Sequence, residues 1–183
     1  REAILVAESA GFDVIVVETV GVGQSEYEVH SMTDLFLVLM QPGAGDELQG
    51  IKKGILELAD LIVVNKADGD AERLASQSVV HYKNAMGFLN HQGFWTPEVL
   101  SVSSIEPRGI DTLWDRMVAY CEAGSEAIPA RRAAQASQWF ERLLNDGVTE
   151  LLKANAAWAE LDKAPKQRVA SGEIPPPQGV LVS

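Results

Sequence analysis

The chain has 183 residues, 46% of them hydrophobic and 22% charged, with a single cysteine, Cys121. That is enough apolar material for one α/β domain with an appendage, and one cysteine excludes an internal disulfide framework. Fifteen Lys and Arg against 26 Asp and Glu leave a net charge of −11. That sign speaks against a nonspecific nucleic-acid or membrane-surface binder, because phosphates are repelled.

Arg1 to Ala10 reads as an amphipathic helix, with Gly11 at a C-cap position. Two acids in this opening segment are unlike a signal peptide, so a cytoplasmic location is expected. The chain opens on Arg1 rather than Met, the pattern of a processed or truncated piece of a longer protein. Val14-Ile15-Val16-Val17 is a β-branched run of the kind that forms a strand buried on both faces of a parallel sheet. Leu35 to Met40, Leu61 to Val64 and Val99 to Val102 are three further strands by the same pattern. Between them, Leu48 to Ala59 and Ala71 to about Asn90 have helical spacing, and Ile110 to Cys121 follows as another helix. Ser125 to Pro129 reads as a linker. Arg131 to about Lys163 reads as one or two helices, weakened at Gly147. The Pro175-Pro176-Pro177 end is extended. The expected organisation is an α/β unit over 1–122, a linker over 123–130, a helical extension over 131–164 and a mobile tail over 165–183.

Alternating strands and helices predict a parallel sheet, and ligands of such sheets sit at the carboxyl ends of the strands. The polar and glycine-rich segments after Val17, Met40, Val64 and Val102 are therefore expected to converge. After Val64 comes Asn65-Lys66-Ala67-Asp68. An N-K-x-D tetrapeptide at a strand end suits guanine selection. The Asp68 carboxylate can accept from guanine N1–H and N2–H₂ together, where adenine offers neither donor. A bidentate contact of this kind discriminates by roughly 1–3 kcal/mol. Lys66 would lay its alkyl stem over the base, and Asn65 would tie neighbouring loops together. The plainer alternative is a polar turn in which Asp68 or Asp70 caps the next helix. After Val102, Ser103-Ser104-Ile105 can present a backbone N–H to guanine O6, although serine-rich turns are common.

After Val17 comes Glu18-Thr19-Val20-Gly21. In nucleotide-dependent switches an acid here holds Mg²⁺ through water, and a glycine three places on offers its amide to the γ-phosphate. Val22 stands where a water-orienting glutamine is often found, and Gln24 comes later, so slow intrinsic hydrolysis is expected. His30, His81 and His91 are scattered, and with one cysteine they argue against a Cys/His zinc site. Phe94 and Trp95 are expected to cover an edge of the sheet.

The run Glu18-Thr19-Val20-Gly21-Val22-Gly23-Gln24-Ser25-Glu26 resembles the second switch of the MeaB/ArgK family, P-loop GTPases that act as chaperones of adenosylcobalamin-dependent methylmalonyl-CoA mutase. Gln41-Pro42-Gly43-Ala44-Gly45-Asp46-Glu47-Leu48-Gln49-Gly50-Ile51-Lys52-Lys53-Gly54 is similar to that family's extra switch. Asn65 to Asp68 and Ser103-Ser104 fall in the family's order. The resemblance runs from Arg1 to about Tyr120, and more loosely beyond. It implies GTP/GDP and Mg²⁺ as ligands, with Glu18 toward the metal and Glu18, Gly21, Gln24 and Lys52 toward catalysis. It implies base contacts from Asn65, Lys66, Asp68, Ser103, Ser104 and Ile105, and a coupling switch of Asp46, Gln49 and Lys52. Its implied partners are an acyl-CoA mutase, methylmalonyl-CoA mutase foremost, and a second copy of the chain through the C-terminal helices. Alternatively, Glu47, Lys52 and Lys53 are the solvated face of a helix.

One departure is large. The chain contains no G-x-x-x-x-G-K-[ST] loop to cradle β- and γ-phosphates. In the family that loop precedes the region matched here. The resemblance therefore implies the later part of a P-loop NTPase G domain plus a helical dimerisation extension, inactive as a GTPase by itself. Two other readings stand beside it: a kinase or transport ATPase for basic amino acids, and a non-catalytic interaction fragment.

Overall fold

The computed structural model describes residues 1–19, 25–43, 53–88, 93–155 and 163–175. Two compact units are present, Arg1–Ala133 and Ala134–Ser183. In the first unit the elements run α1 (Glu2–Ser9), α2 (Ser25–His30), β1 (Leu37–Met40), α3 (Lys53–Leu58), β2 (Leu61–Val64), a 3₁₀ turn (Gly69–Ala71), α4 (Glu72–Gly87), β3 (Glu98–Ser101) and α5 (Ile110–Ala123). Helix α6 (Ala127–Ala154) begins in it, and α7 (Lys163–Ala170) lies in the second unit.

The sheet has the order β1-β2-β3, all parallel, with Leu37 opposite Leu61 and Leu61 opposite Glu98. Central β2 is the unbroken apolar run Leu61-Ile62-Val63-Val64, with every side chain 0% exposed. A strand flanked on both sides and covered on both faces has no place for alternating polarity. Each of these four side chains contributes about 1.5–3 kcal/mol on burial, an upper figure because unfolded chains also bury some surface. Helix α4 packs on β2 and β3, and places Ala75, Tyr82 and Met86 in the core with Leu56 of α3, Ile62, Val64 and Val99.

The first expected strand is not formed. Val14–Val17 has no regular secondary structure and pairs with no strand among the described residues, and Val14 and Val16 are 52% and 82% exposed. A β-branched run supplies propensity, but a strand also needs a hydrogen-bonding neighbour. Strand β1 is shorter than expected, and its Leu39 is 63% exposed rather than buried. The stretch expected as a linker is helical from Ala127 onward. Pro129 sits in the first turn of α6, where its missing N–H has no helical partner to lose. Gly147 does not break α6, which runs unbroken to Ala154. Helix α7 occupies part of the expected tail, with Pro165 in its first turn.

Candidate functional site

Because the strands are parallel and in register, Met40, Val64 and Ser101 end at one rim. The chain leaving β2 is stitched to both neighbours: Asn65 N–H donates to the Met40 carbonyl at 2.9 Å and Ala67 N–H to the Val102 carbonyl at 3.0 Å. Between them Lys66 turns through φ +59, the left-handed region, as no other non-glycine among the described residues does. That conformation costs about 1–3 kcal/mol and persists where surroundings enforce it, commonly at functional sites. The Asn65 Oδ1 accepts from Lys66 N–H at 2.8 Å and steadies the turn. The Lys66 side chain is exposed at the rim.

Asp68 leaves the turn extended, at φ −134 and ψ 166. Its carboxylate makes no cap hydrogen bond to the following 3₁₀ turn, and α4 begins without a side-chain cap. Asp68 thus stands at the N-cap position of that turn without capping it through its side chain. Instead, Ser103 Oγ donates to Asp68 Oδ2 at 2.5 Å. Residues 35 positions apart are thus joined at one point, and one carboxylate oxygen is oriented while the other has no partner among the described residues.

Ser103 itself is 0% exposed and fully engaged. Its N–H donates to the Arg108 carbonyl at 3.0 Å, its carbonyl accepts from Arg108 N–H, and its Oγ accepts from Glu106 N–H. This corrects one expectation, because the Ser103 amide has no capacity left for a base oxygen. Ser104 and Ile105, both exposed at the tip, donate no backbone hydrogen bond among the described residues. The loop can close this tightly because Gly109 adopts φ +75, and a Cβ there would stand 2.5 Å from the Ser101 carbonyl.

Two residues that sequence reasoning missed hold these loops. Arg108 pairs with Glu72 Oε1 of α4 at 2.5 Å and Glu106 Oε2 at 2.6 Å. Ser78 of α4 accepts from Gly43 N–H at 3.1 Å, at the φ +77 turn after β1. Their partners are 35 or 36 residues away, except Glu106, so spacing carries no sign of them.

The structure brings Asn65, Lys66, Asp68, Ser103, Ser104 and Ile105 to one rim. Glu18 lies in the irregular segment after Val17, exposed, and makes no hydrogen bond or ion pair among the described residues. Gly21, Gln24, Asp46, Gln49 and Lys52 lie outside the described residues. The described residues contain no group of three or more His, Cys, Asp or Glu able to hold a metal. Glu18 alone does not make a magnesium site, since that ion demands a near-octahedral oxygen set. No helix among the described residues is long and apolar enough to cross a membrane.

The rim therefore offers one carboxylate with a fixed orientation and, across the turn, two amides that no described residue uses. A planar ligand edge with two adjacent donors and a neighbouring carbonyl is the complement of that set, which is the pattern of guanine.

The family described as Methylmalonyl Co-A mutase-associated GTPase MeaB matches residues 1–157. A "Putative GTPase" of Caulobacter vibrioides is 46% identical over 179 residues, covering 96% of this chain and 54% of that protein. "Methylmalonic aciduria type A homolog, mitochondrial" of Mus musculus is 38% identical over 179 residues, covering 96% of this chain and 43% of that protein. A solved structure described as "Crystal structure of LAO/AO transport system kinase" superposes with a TM-score of 0.79 at 36% identity, covering 98% of this chain and 58% of that one. The chain thus spans about half the length of the curated relatives it matches.

Proposed function

Because the chain belongs to the MeaB family of GTPases, we propose that the full-length protein binds and hydrolyses GTP and serves as chaperone of an adenosylcobalamin-dependent acyl-CoA mutase, methylmalonyl-CoA mutase foremost. The observation that carries the base-binding part is the Ser103–Asp68 hydrogen bond beside the Ser104 and Ile105 amides, which no described residue uses. Asp68 accepts the two donors of guanine, the Ser104 or Ile105 amide donates to O6, and the Lys66 stem covers the ring. Ser103 fixes the rotamer of Asp68, so its orientation is set before the base arrives. A missed donor would leave that carboxylate unpaired against the base, which is how such sites reject analogues.

The phosphate side of the reaction belongs to the whole protein. These 183 residues contain no G-x-x-x-x-G-K-[ST], so hydrolysis is not expected of them alone. Glu18 would help to hold Mg²⁺ brought by the nucleotide phosphates, and Gly21, Gln24 and Lys52 would serve the γ-phosphate. Asp46, Gln49 and Lys52 form the segment that relays nucleotide state to the mutase. Phe140, Leu144, Val148 and Leu151 stand at helical spacing on α6, all between 47% and 75% exposed. A stripe of this kind suits a self-complementary contact between two copies. A cytoplasmic setting fits the whole.

The solved relative, a transport system kinase by its description, favours a second reading: a kinase acting in basic amino-acid transport. Asp68 opposes it for a nucleotide selected as ATP, because adenine presents no donor pair. The experiment is nucleotide binding by the full-length protein and its Asp68→Asn variant. GTP affinity should fall by about 5- to 150-fold while xanthosine triphosphate gains. Equal GTP affinities, or ATP competing as well as GTP, would overturn the guanine reading.

A further inference from the structure

We propose that Arg108 is a positioning residue for base recognition: its guanidinium holds the Ser103–Arg108 loop at a set distance from the Asn65–Asp68 turn. The inference rests on the guanine reading above and deepens it.

The two loops that would grip a base leave neighbouring strands, and two side-chain ties connect them. One is Ser103 Oγ to Asp68. The other is Arg108, whose Nη1 meets Glu72 at 2.5 Å while Nη2 meets Glu106 at 2.6 Å. Glu72 opens α4, four residues beyond Asp68, so it moves with the turn that carries the carboxylate. Glu106 lies two residues beyond Ser104, the amide that would meet O6. One planar group therefore spans from the acceptor side of the site to the donor side. The Arg108 backbone is clamped as well, through its two hydrogen bonds with Ser103 and through Gly109, whose φ of +75 admits no ordinary side chain. A guanidinium can address two carboxylates at once through its fixed fork of donors. A lysine ammonium, a compact point charge, cannot hold both in the same geometry.

The three side chains are about half exposed, at 50%, 58% and 55%. Exposed pairs are weak and screened by salt, so the effect is modest and ionic-strength dependent. The split between KM and kcat, and the lysine variant, separate positioning from a general role in folding.

The test is binding of a fluorescent GDP (the N-methylanthraniloyl derivative) to the full-length protein, with steady-state GTP hydrolysis alongside. Arg108→Gln should weaken GDP by about two- to fivefold at about 0.05 M salt, and by much less at about 1 M. Glu72→Gln should cost a similar factor. The double variant should be no worse than Arg108→Gln alone, because both remove the same tie. Arg108→Lys should fall between wild type and Arg108→Gln. The loss should appear in KM more than in kcat. Unchanged GDP affinity for Arg108→Gln at low salt would overturn the proposal, and so would a loss that persists at high salt. Asp68→Asn in the same assay keeps the two claims apart. If it leaves binding intact, the guanine reading fails. If it weakens binding and Arg108→Gln does not, only the role of Arg108 fails.

Discussion

The two ends of the same three strands carry polar clusters that differ in one respect. At the carboxyl rim, Asp68 and the Ser104 and Ile105 amides keep hydrogen-bonding capacity that the described residues do not use. At the amino end the described polar groups bond chiefly to one another, across three elements. Asp60 Oδ2 accepts from Phe36 N–H at 2.9 Å and lies 3.6 Å from Arg131 of α6. The Asp60 carbonyl accepts from the Trp95 indole, and Asp60 N–H donates to the Phe36 carbonyl. Tyr120, 0% exposed, donates to the Asp34 carbonyl, which also accepts from Arg131. Arg132 forks onto the Asp34 carboxylate and reaches Glu8. The difference teaches how a binding rim and a staple are told apart in one sheet. A staple closes its valences inside the protein, whereas a site holds some in reserve at fixed positions.

Substitutions at the two ends should therefore separate cleanly. The largest effect is expected from Asp60→Ala. It strips a buried amide of its acceptor and leaves Arg131 without its carboxylate, at a cost of about 2–4 kcal/mol in unfolding free energy. Nucleotide affinity of the folded fraction should hold. Asp68→Asn should do the reverse, costing about 1–3 kcal/mol in GTP binding with little change in denaturant midpoint. Chemical denaturation and nucleotide titration on both variants check the pair. If each moved both readouts equally, the two ends would not be distinct in function. Ser103→Ala comes next, because it removes the donor that orients Asp68 and the acceptor for Glu106 N–H. About 1 kcal/mol of guanine affinity should go, roughly a fivefold rise in the GDP dissociation constant.

Which loops follow the strands at the carboxyl rim was legible in the sequence, and the pairings at the amino end were not. Leu61 to Val64 could be read because a continuous apolar run of four has one home, a central parallel strand. Asn65 to Asp68 and Ser103 could be read because local order along the chain fixes which strand ends they follow. Val14 to Val17 misled for a complementary reason: its composition speaks of a strand, but pairing is decided by a neighbour that the run itself does not encode. Asp60 left one signal, an acid set directly against an apolar strand, where burial demands a partner. The identity of that partner, Arg131 in a helix far along the chain, is a property of the fold. Arg108 escaped for the same reason, since its fork is recognisable only once Glu72 and Glu106 are seen on its two sides.

The smallest effect sharpens the amino end. His30 lies edge-on to Phe36 at 5.8 Å, and faces Arg131 and Asp60. Its pKa is lowered from 6.5, first by burial and then by the Arg131 cation, against an opposing pull from Asp60. A folded state that favours neutral histidine binds fewer protons than the unfolded chain. Its contribution to stability is then complete above the ordinary value of 6.5 and is lost as pH falls through the lowered one. Asp60 runs the other way, because burial raises its pKa above 3.8 and its charged form is the disfavoured one. Its contribution is present below 3.8 and is lost as pH rises through the raised value. The two slopes oppose each other, so the histidine part is read by difference. Between about pH 7 and about pH 5.5, urea midpoints of the wild type should fall relative to those of His30→Asn, by a few tenths of a kcal/mol. An unaltered slope in the variant would place the proton uptake elsewhere and leave the staple indifferent to pH in that window.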